Sequence, residues 1–495
     1  MADTRPNILW MCTDQQRFDT IAAMGNEVIR TPNLDRLIEN GVGFDKAYCQ
    51  SPICTPSRVS FLTGCYPTRT HVNRNGNRDV GDIPPLVTKI LADAGYDCGL
   101  VGKLHLSSVH GRVEQRIDDG YRMWEWSQMP PPETFWPTDE HFYQRWLKAK
   151  GVEWASIYPP VDESVLEENV DWARMPEGWA DTSVYARLYR PGVPVEHHEI
   201  TWAMEKAIDF IEEDRDGPWM LSINSFAPHP PTDPPAEYLA RMDRDRMPRP
   251  AFEESDREWQ TTLSEKVDFQ VDKPLAPEQY DAAGLVAAYY AEIELIDEGF
   301  GRLLDALEAG GQLENTLVIF TSDHGEMLGD HGLLLKGCRF YEGLVRVPLI
   351  LSWPAKGIRG AQSDALVELV DIAPTILDVA GVEVPEYMQG RSLRPILTGD
   401  TPLHDHKDAI RCEYHDAVEL KHASHATMIR NDRYKLAIYH GTGLGELYDL
   451  ETDPHEHRNL WNDSEFASVR AELSGRLLDD LMTTVDVGGP RVGRY

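Results

Sequence analysis

Short apolar runs that stop abruptly in polar residues recur along the chain. They are Ile8-Leu9-Trp10-Met11-Cys12 before Thr13-Asp14-Gln15, and Cys98-Gly99-Leu100-Val101 before Gly102-Lys103-Leu104-His105. Two more are Trp219-Met220-Leu221-Ser222-Ile223, leading through Asn224 to Pro228-His229-Pro230, and Leu317-Val318-Ile319-Phe320 before Thr321-Ser322-Asp323-His324-Gly325. Runs of this kind predict strands buried on both faces of a largely parallel sheet. Helix-like stretches separate them at 33–39, 86–94, 201–213 and 282–309, the last with apolar residues at helical spacing. Alternation of this kind predicts an α/β fold, a large doubly wound and mostly parallel sheet with helices on both faces. Ligands of such sheets bind beyond the carboxyl ends of the strands, so the four polar termini are expected in one crevice.

The pattern changes after about residue 405, to short β-type runs at 426–429, 434–439 and 446–450 and a helix-like stretch at 464–485. The chain is therefore divided into an α/β domain, 1–405, and a small C-terminal subdomain with an antiparallel sheet and tail, 406–495. Residues 122–200 hold seven of the thirteen tryptophans and read as an insertion folding over the crevice. Those rings are either the core of an irregular excursion or, for one or two of them, the wall of a ligand pocket. The charged, proline-punctuated stretch 231–275 reads as a lid or an oligomer contact.

Charge narrows the partners. With 48 basic and 82 acidic side chains the net charge is −34, which would repel nucleic acid and anionic membranes alike. The seven cysteines are odd in number, scattered and free of C-x-x-C pairs, as expected of a reducing compartment without a disulfide framework. The first residues show no basic-then-apolar leader, and no run of eighteen apolar residues suggests a span. A cytoplasmic protein is expected. Asp14-Gln15 and Asp323-His324 each put two donors at a strand end, half-sites for one divalent cation. Their oxygens favour calcium, magnesium or manganese, and the imidazole moves the balance toward manganese.

The run Cys54-Thr55-Pro56-Ser57-Arg58-Val59-Ser60-Phe61-Leu62-Thr63-Gly64 resembles the sulfatase signature C-x-P-S-R-x-x-x-L-T-G, whose cysteine a maturation enzyme oxidises to formylglycine. The likeness to formylglycine-dependent sulfatases of the alkaline phosphatase superfamily extends to Gly102-Lys103-Leu104-His105, Pro228-His229-Pro230, the stretch 321–326 with Gly329-Asp330-His331, Lys336, the stretch 369–375, and Leu447-Tyr448-Asp449-Leu450 with Asp453-Pro454. The resemblance implies hydrolysis of a small-molecule sulfate monoester. The hydrated aldehyde at Cys54, brought to a divalent metal, attacks sulfur and passes through a covalent sulfated hemiacetal. It further implies that Asp14, Gln15, Asp323 and His324 hold the metal, calcium first and manganese or magnesium next, with residue 54 as a further ligand. Arg58 would hold the aldehyde hydrate, Lys103 clamp a nonbridging oxygen, and His105 take the proton whose loss expels sulfate. His229 and Lys336 would flank the leaving-group oxygen.

Two positions depart from the commonest sulfatase pattern, Gln15 for Asp and His324 for Asn, as in the choline-sulfatase and phosphonate monoester hydrolase branches. A phosphonate monoester or phosphodiester hydrolase with the same nucleophile is the alternative, and an inactive relative that binds sulfated ligands the third reading. Expected partners are the ester substrate, a formylglycine-generating enzyme and copies of the chain itself, as a dimer or tetramer.

Overall fold

The four apolar runs are neighbouring strands at the centre of one eight-stranded sheet in the computed structural model, which describes residues 5–108, 113–128, 141–157, 192–271, 273–418 and 420–485. They are β1 (Asn7–Thr13), β3 (Asp97–Gly102), β5 (Trp219–Asn224) and β7 (Thr316–Ser322), and they pair in parallel. β4 (Met123–Trp126) extends one edge. β2 (Val42–Tyr48), β9 (Leu349–Ser352) and β10 (Ala361–Glu368) extend the other. The order is β10-β2-β9-β7-β1-β5-β3-β4, and β9 runs antiparallel to both its neighbours.

Successive strand residues point to opposite faces, and each face has its own core. Ile8, Trp10 and Cys12 enter one core together with Val59, Leu91 and Ile376 from the helices Cys54–Thr63, Val87–Asp93 and Ile372–Ala380. Leu9 and Met11 enter the other, with Leu34, Ile200 and Ile296 from Pro32–Glu39, Glu199–Ile211 and Ala282–Ala309. Burial on both sides is why these strands carry no polar alternation.

A second sheet of β11 (Ile410–His415), β12 (His425–Arg430), β13 (Tyr434–Tyr439) and β14 (Leu444–Asp449) is antiparallel throughout. The helix Ala467–Thr483 lays Leu473 and Leu477 on its Ile429, Leu436 and Leu447. The apolar pattern does not predict β11. Its Arg411 and Glu413 are buried yet neutralise each other at 2.9 Å, so a charged pair occupies positions that ordinarily mark an exposed strand.

Two expectations are corrected. Residues 123–126 are not the start of an excursion but the edge strand β4, and Trp126, Trp146 and Trp154 are buried in the cores of the sheet's two faces. Trp136, Trp172 and Trp179 lie outside the described residues. Nor is 231–275 loop throughout. It contains the helix Glu254–Ser264 and β6 (Phe269–Val271), which pairs with β8 (Leu334–Gly337), the strand that carries Lys336. Among the described residues no helix is long and apolar enough to cross a membrane.

Candidate active site

The carboxyl ends of β1, β3, β5 and β7 deliver Asp14, Lys103, His229 and Asp323 to one place, where the helix Cys54–Thr63 begins. All ten residues of that helix are buried despite its polar sequence. Its polar atoms are taken up locally: the Ser57 hydroxyl donates to the Asp323 carbonyl at 2.6 Å, and the Thr55 amide to Asn75 Oδ1 at 2.9 Å. Cys54 sits in the first turn, where free amides and the helix dipole favour negative charge. Arg58 follows one turn later on the same face.

Arg58 is the hub. Its Nε donates to Asp323 Oδ2 at 2.8 Å, one terminal nitrogen to Asp14 Oδ2 at 3.2 Å, and the other to the Lys103 carbonyl at 3.1 Å. All three side chains of this ion cluster are at most 1% exposed. Lys103 Nζ also donates to Asp14 Oδ2. Lys336 Nζ reaches Cys54 Sγ at 2.9 Å and Gln15 Oε1 at 2.7 Å, while His324 Nε2 lies 3.2 Å from Cys54 Sγ. Burial and Asp14 raise the Cys54 thiol, but Lys103, Lys336 and His324 prevail and hold it well below its ordinary value. Burial likewise opposes the charge on Asp14, yet Lys103, Lys336 and Arg58 hold that carboxyl well below the usual range.

The donor set fits a divalent cation. The ligand atoms of Asp14, Cys54, Asp323 and His324 all lie within 4.8 Å of one another. His324 Nδ1 lies 2.8 Å from the Gly325 carbonyl, which can only accept, so Nδ1 carries a proton and Nε2 is the nitrogen turned inward. Gln15 Nε2 donates to Glu326, which leaves Oε1 facing inward as well. Gln15 takes a left-handed backbone, φ 69°, its amide donating to Asp323 Oδ1 at 3.0 Å. Strain of this kind gathers at functional sites.

The remaining candidates border this centre. His229 Nδ1 donates to the Pro230 carbonyl at 2.6 Å and its ring packs on Phe226. Burial, with Lys336 and Lys103, depresses it to about 3, so the imidazole is neutral. His105, also in a left-handed turn at φ 57°, is held well below its ordinary value by burial, Lys103 and Arg58. Its Nδ1 is buried without a hydrogen-bond partner. All ten sequence candidates thus converge.

Two buried carboxylates that sequence reasoning missed hold them in place. Glu326 accepts from Gln15 Nε2 and from the amides of Leu328 and Leu335. Glu114 accepts from the amides of His105 (2.8 Å), Leu106 and Ser107 (3.1 Å) and from Trp126 Nε1 (3.0 Å), fixing the turn after β3. Glu326 directly follows the Asp-His-Gly motif and could have been found there. Glu114 has no signal along the sequence, because its partners are mostly main-chain amides.

Residues 6–382 match the family model described as Sulfatase, and residues 329–482 the one described as N-sulphoglucosamine sulphohydrolase, C-terminal. The chain belongs to the sulfatase family of sulfuric ester hydrolases. It is 29% identical to an arylsulfatase of Clostridium perfringens over 93% of this chain and 91% of that one. It is equally 29% identical to the multifunctional alkaline phosphatase superfamily protein PehA of Trinickia caryophylli, over 98% and 96%. The structure of a phosphonate monoester hydrolase of Agrobacterium radiobacter matches with a TM-score of 0.75 and 26% identity, over 97% of this chain and 96% of that one.

Proposed function

We propose that the chain hydrolyses sulfate monoesters by S–O cleavage, with residue 54 as the nucleophile. The observation that carries this reading is the placement of Cys54. It sits at the positive end of a buried helix, against Lys336 and His324, one turn from an Arg58 that is locked to Asp14 and Asp323. Conversion of the thiol to formylglycine would give the residue a hydrated aldehyde, whose hydroxyl is the attacking oxygen. Asp14, Gln15, Asp323 and His324 would hold one divalent cation, calcium first and manganese or magnesium next, which supplies Lewis acidity.

The chain's own groups divide the remaining work. Arg58 holds the aldehyde hydrate and balances its charge, and Lys103 clamps a nonbridging oxygen. His229 is neutral with its only proton committed to Pro230, so its Nε2 can only accept, and it holds the leaving alcohol once that oxygen carries a proton. Lys336, which burial opposes but Cys54, Asp14 and Asp323 hold charged, is the group able to give that oxygen its proton. His105 is neutral and its ring nitrogen is unclaimed, which suits it to accept the proton whose loss expels sulfate.

The likeness to a phosphonate monoester hydrolase favours a second reading, an ester of phosphorus attacked by the same nucleophile. Peptide mass spectrometry across Cys54, after co-expression with a formylglycine-generating enzyme, should find aldehyde in place of thiol. Unmodified cysteine would sink the mechanism and favour a sulfated-ligand-binding relative. Rates on matched aryl sulfate and aryl phosphonate esters then separate the two ester classes, and a sulfate rate at background would refute the leading reading. The division at about residue 405 and assembly into a dimer or tetramer belong to the same proposal.

A further inference from the structure

Away from the catalytic centre, Asp256, His331 and His457 bring three potential ligand atoms within 4.8 Å of one another. Asp256 is in the first turn of the helix Glu254–Ser264, His331 in the turn Asp330–Gly332, and His457 in the loop that leaves β14. His331 Nδ1 lies 3.2 Å from Asp256 Oδ1, and His457 Nδ1 lies 2.9 Å from Oδ2 of the same carboxylate. Ligands 2.0–2.1 Å from a tetrahedral zinc ion stand about 3.3 Å apart along each edge, so each imidazole already stands near coordination spacing from the carboxylate, and the remaining edge is within 4.8 Å.

The surroundings fix the imidazoles rather than merely enclosing them. Tyr341 stacks on His331 with ring centres 3.8 Å apart and planes 19° from parallel. The Tyr341 hydroxyl is held in turn by Gln260 and Glu446, at 2.7 Å each. His331 adopts a left-handed backbone, φ 54°, with its amide on the Ala251 carbonyl at 2.7 Å. A cavity of about 410 Å³ lined by Asp330, His331, Tyr341, His455 and Glu456 opens beside the cluster. It leaves a fourth position to solvent or to the exposed His455, whose ring lies 6.1 Å from that of His457.

We propose that Asp256, His331 and His457 form a second metal site, selective for a zinc-like dication, that ties the C-terminal sheet to the segment delivering Lys336. Two imidazoles and one carboxylate suit zinc far better than calcium or magnesium, which take all-oxygen shells. The ion joins three segments distant in sequence: the turn with His331 leads into β8, the helix with Asp256 precedes β6, the partner of β8, and His457 follows β14. Its role is structural. The catalytic centre keeps its own cation.

The test uses the full-length protein stripped by chelator and then saturated with calcium, titrated with zinc and, separately, with cobalt(II). Wild type should take up one further equivalent of zinc with a rise in melting temperature, and cobalt should show the intense visible bands of a tetrahedral site. His457→Gln, in the partly exposed loop, should fold and lose the bands, with affinity down by more than the roughly 10–100-fold that loss of an outer partner costs. Asp256→Asn should behave likewise. Absence of an additional equivalent, or equal uptake by wild type and His457→Gln, would mean that Asp256 only hydrogen-bonds two histidines and would overturn the site.

Discussion

Glu326→Gln tests how the metal-facing amide of Gln15 is oriented. In the native arrangement Glu326 Oε1 accepts the amides of Leu328 and Leu335, and Oε2 accepts Gln15 Nε2. Gln15 must then turn Oε1 toward Lys336 Nζ, which donates to it at 2.7 Å. In the variant the two backbone amides keep the new side chain's oxygen, so its NH2 faces the NH2 of Gln15. Either that clash stands, or the Gln15 amide flips and presents donors to Lys336 and to the cation. Both outcomes forfeit about one charge-assisted hydrogen bond, about 1.5–3 kcal/mol, or about a 10–100-fold loss of metal affinity. The backbone anchors survive, so the metal-free protein should still fold, with its melting temperature lowered by a few degrees at most. Calorimetric titration of the divalent cation into stripped wild type and variant reads the effect directly. Equal metal affinities would refute this account of Gln15.

Glu114→Gln leaves two of the four converging N–H donors facing an amide NH2, at a cost of about 2–5 kcal/mol; kcat should fall far more than KM changes, and activity and melting within error of wild type would reject a positioning role for this carboxylate. Gly102→Ala would put a Cβ 2.0 Å from the Asn224 carbonyl at a φ of +95°, so a loss of at least about 2–4 kcal/mol is expected in denaturation, with the Lys103 amide torn from that same carbonyl. Asp371 is buried, which opposes its charge, yet Lys407 and His406 lower it to about 2. Its folded value lies below the unfolded one of about 3.9, so its stabilisation is full above about pH 5 and is lost as pH falls toward 2; at about 1.4 kcal/mol per pH unit it contributes about 2–3 kcal/mol. Asp371→Asn should therefore be less stable at pH 7 by that amount, with the gap roughly halved near pH 3; a gap independent of pH would exclude this linkage.

What the sequence could reveal followed from burial and local spacing. The central strands were legible because burial on both faces leaves an uninterrupted apolar run, as in Leu317-Val318-Ile319-Phe320. The metal half-sites were legible because each lies immediately beyond such a run. Arg58 was legible only through the signature run it shares with Cys54, and the structure sets it one turn below Cys54 on one helix. β4 was hidden by its tryptophans, since Met123-Trp124-Glu125-Trp126 on a sheet edge looks like any aromatic stretch of loop. β11 was hidden by the buried Arg411–Glu413 pair. Glu114 was hidden because what it binds is backbone, which every residue carries, and that information exists only once the turn after β3 is folded.

The acidic surface and an anionic ester substrate are compatible once distance and dielectric are weighed. A single cation 4 Å from a sulfate oxygen in a partly buried site is worth about 4 kcal/mol at an effective dielectric near 20. The surplus of 34 negative charges, set about 25 Å away across salt water with a Debye length near 8 Å, sums to about 0.25 kcal/mol. Arg58, Lys103 and Lys336 are all nearly or fully buried, and they face the two carboxylates of Asp14 and Asp323. With residue 54 converted to the uncharged hydrated aldehyde, these five groups sum to one positive charge before any dication binds. Depth does what surface composition does not: the strand ends carry the cations below the reach of the outer field, so the surface is free to be acidic.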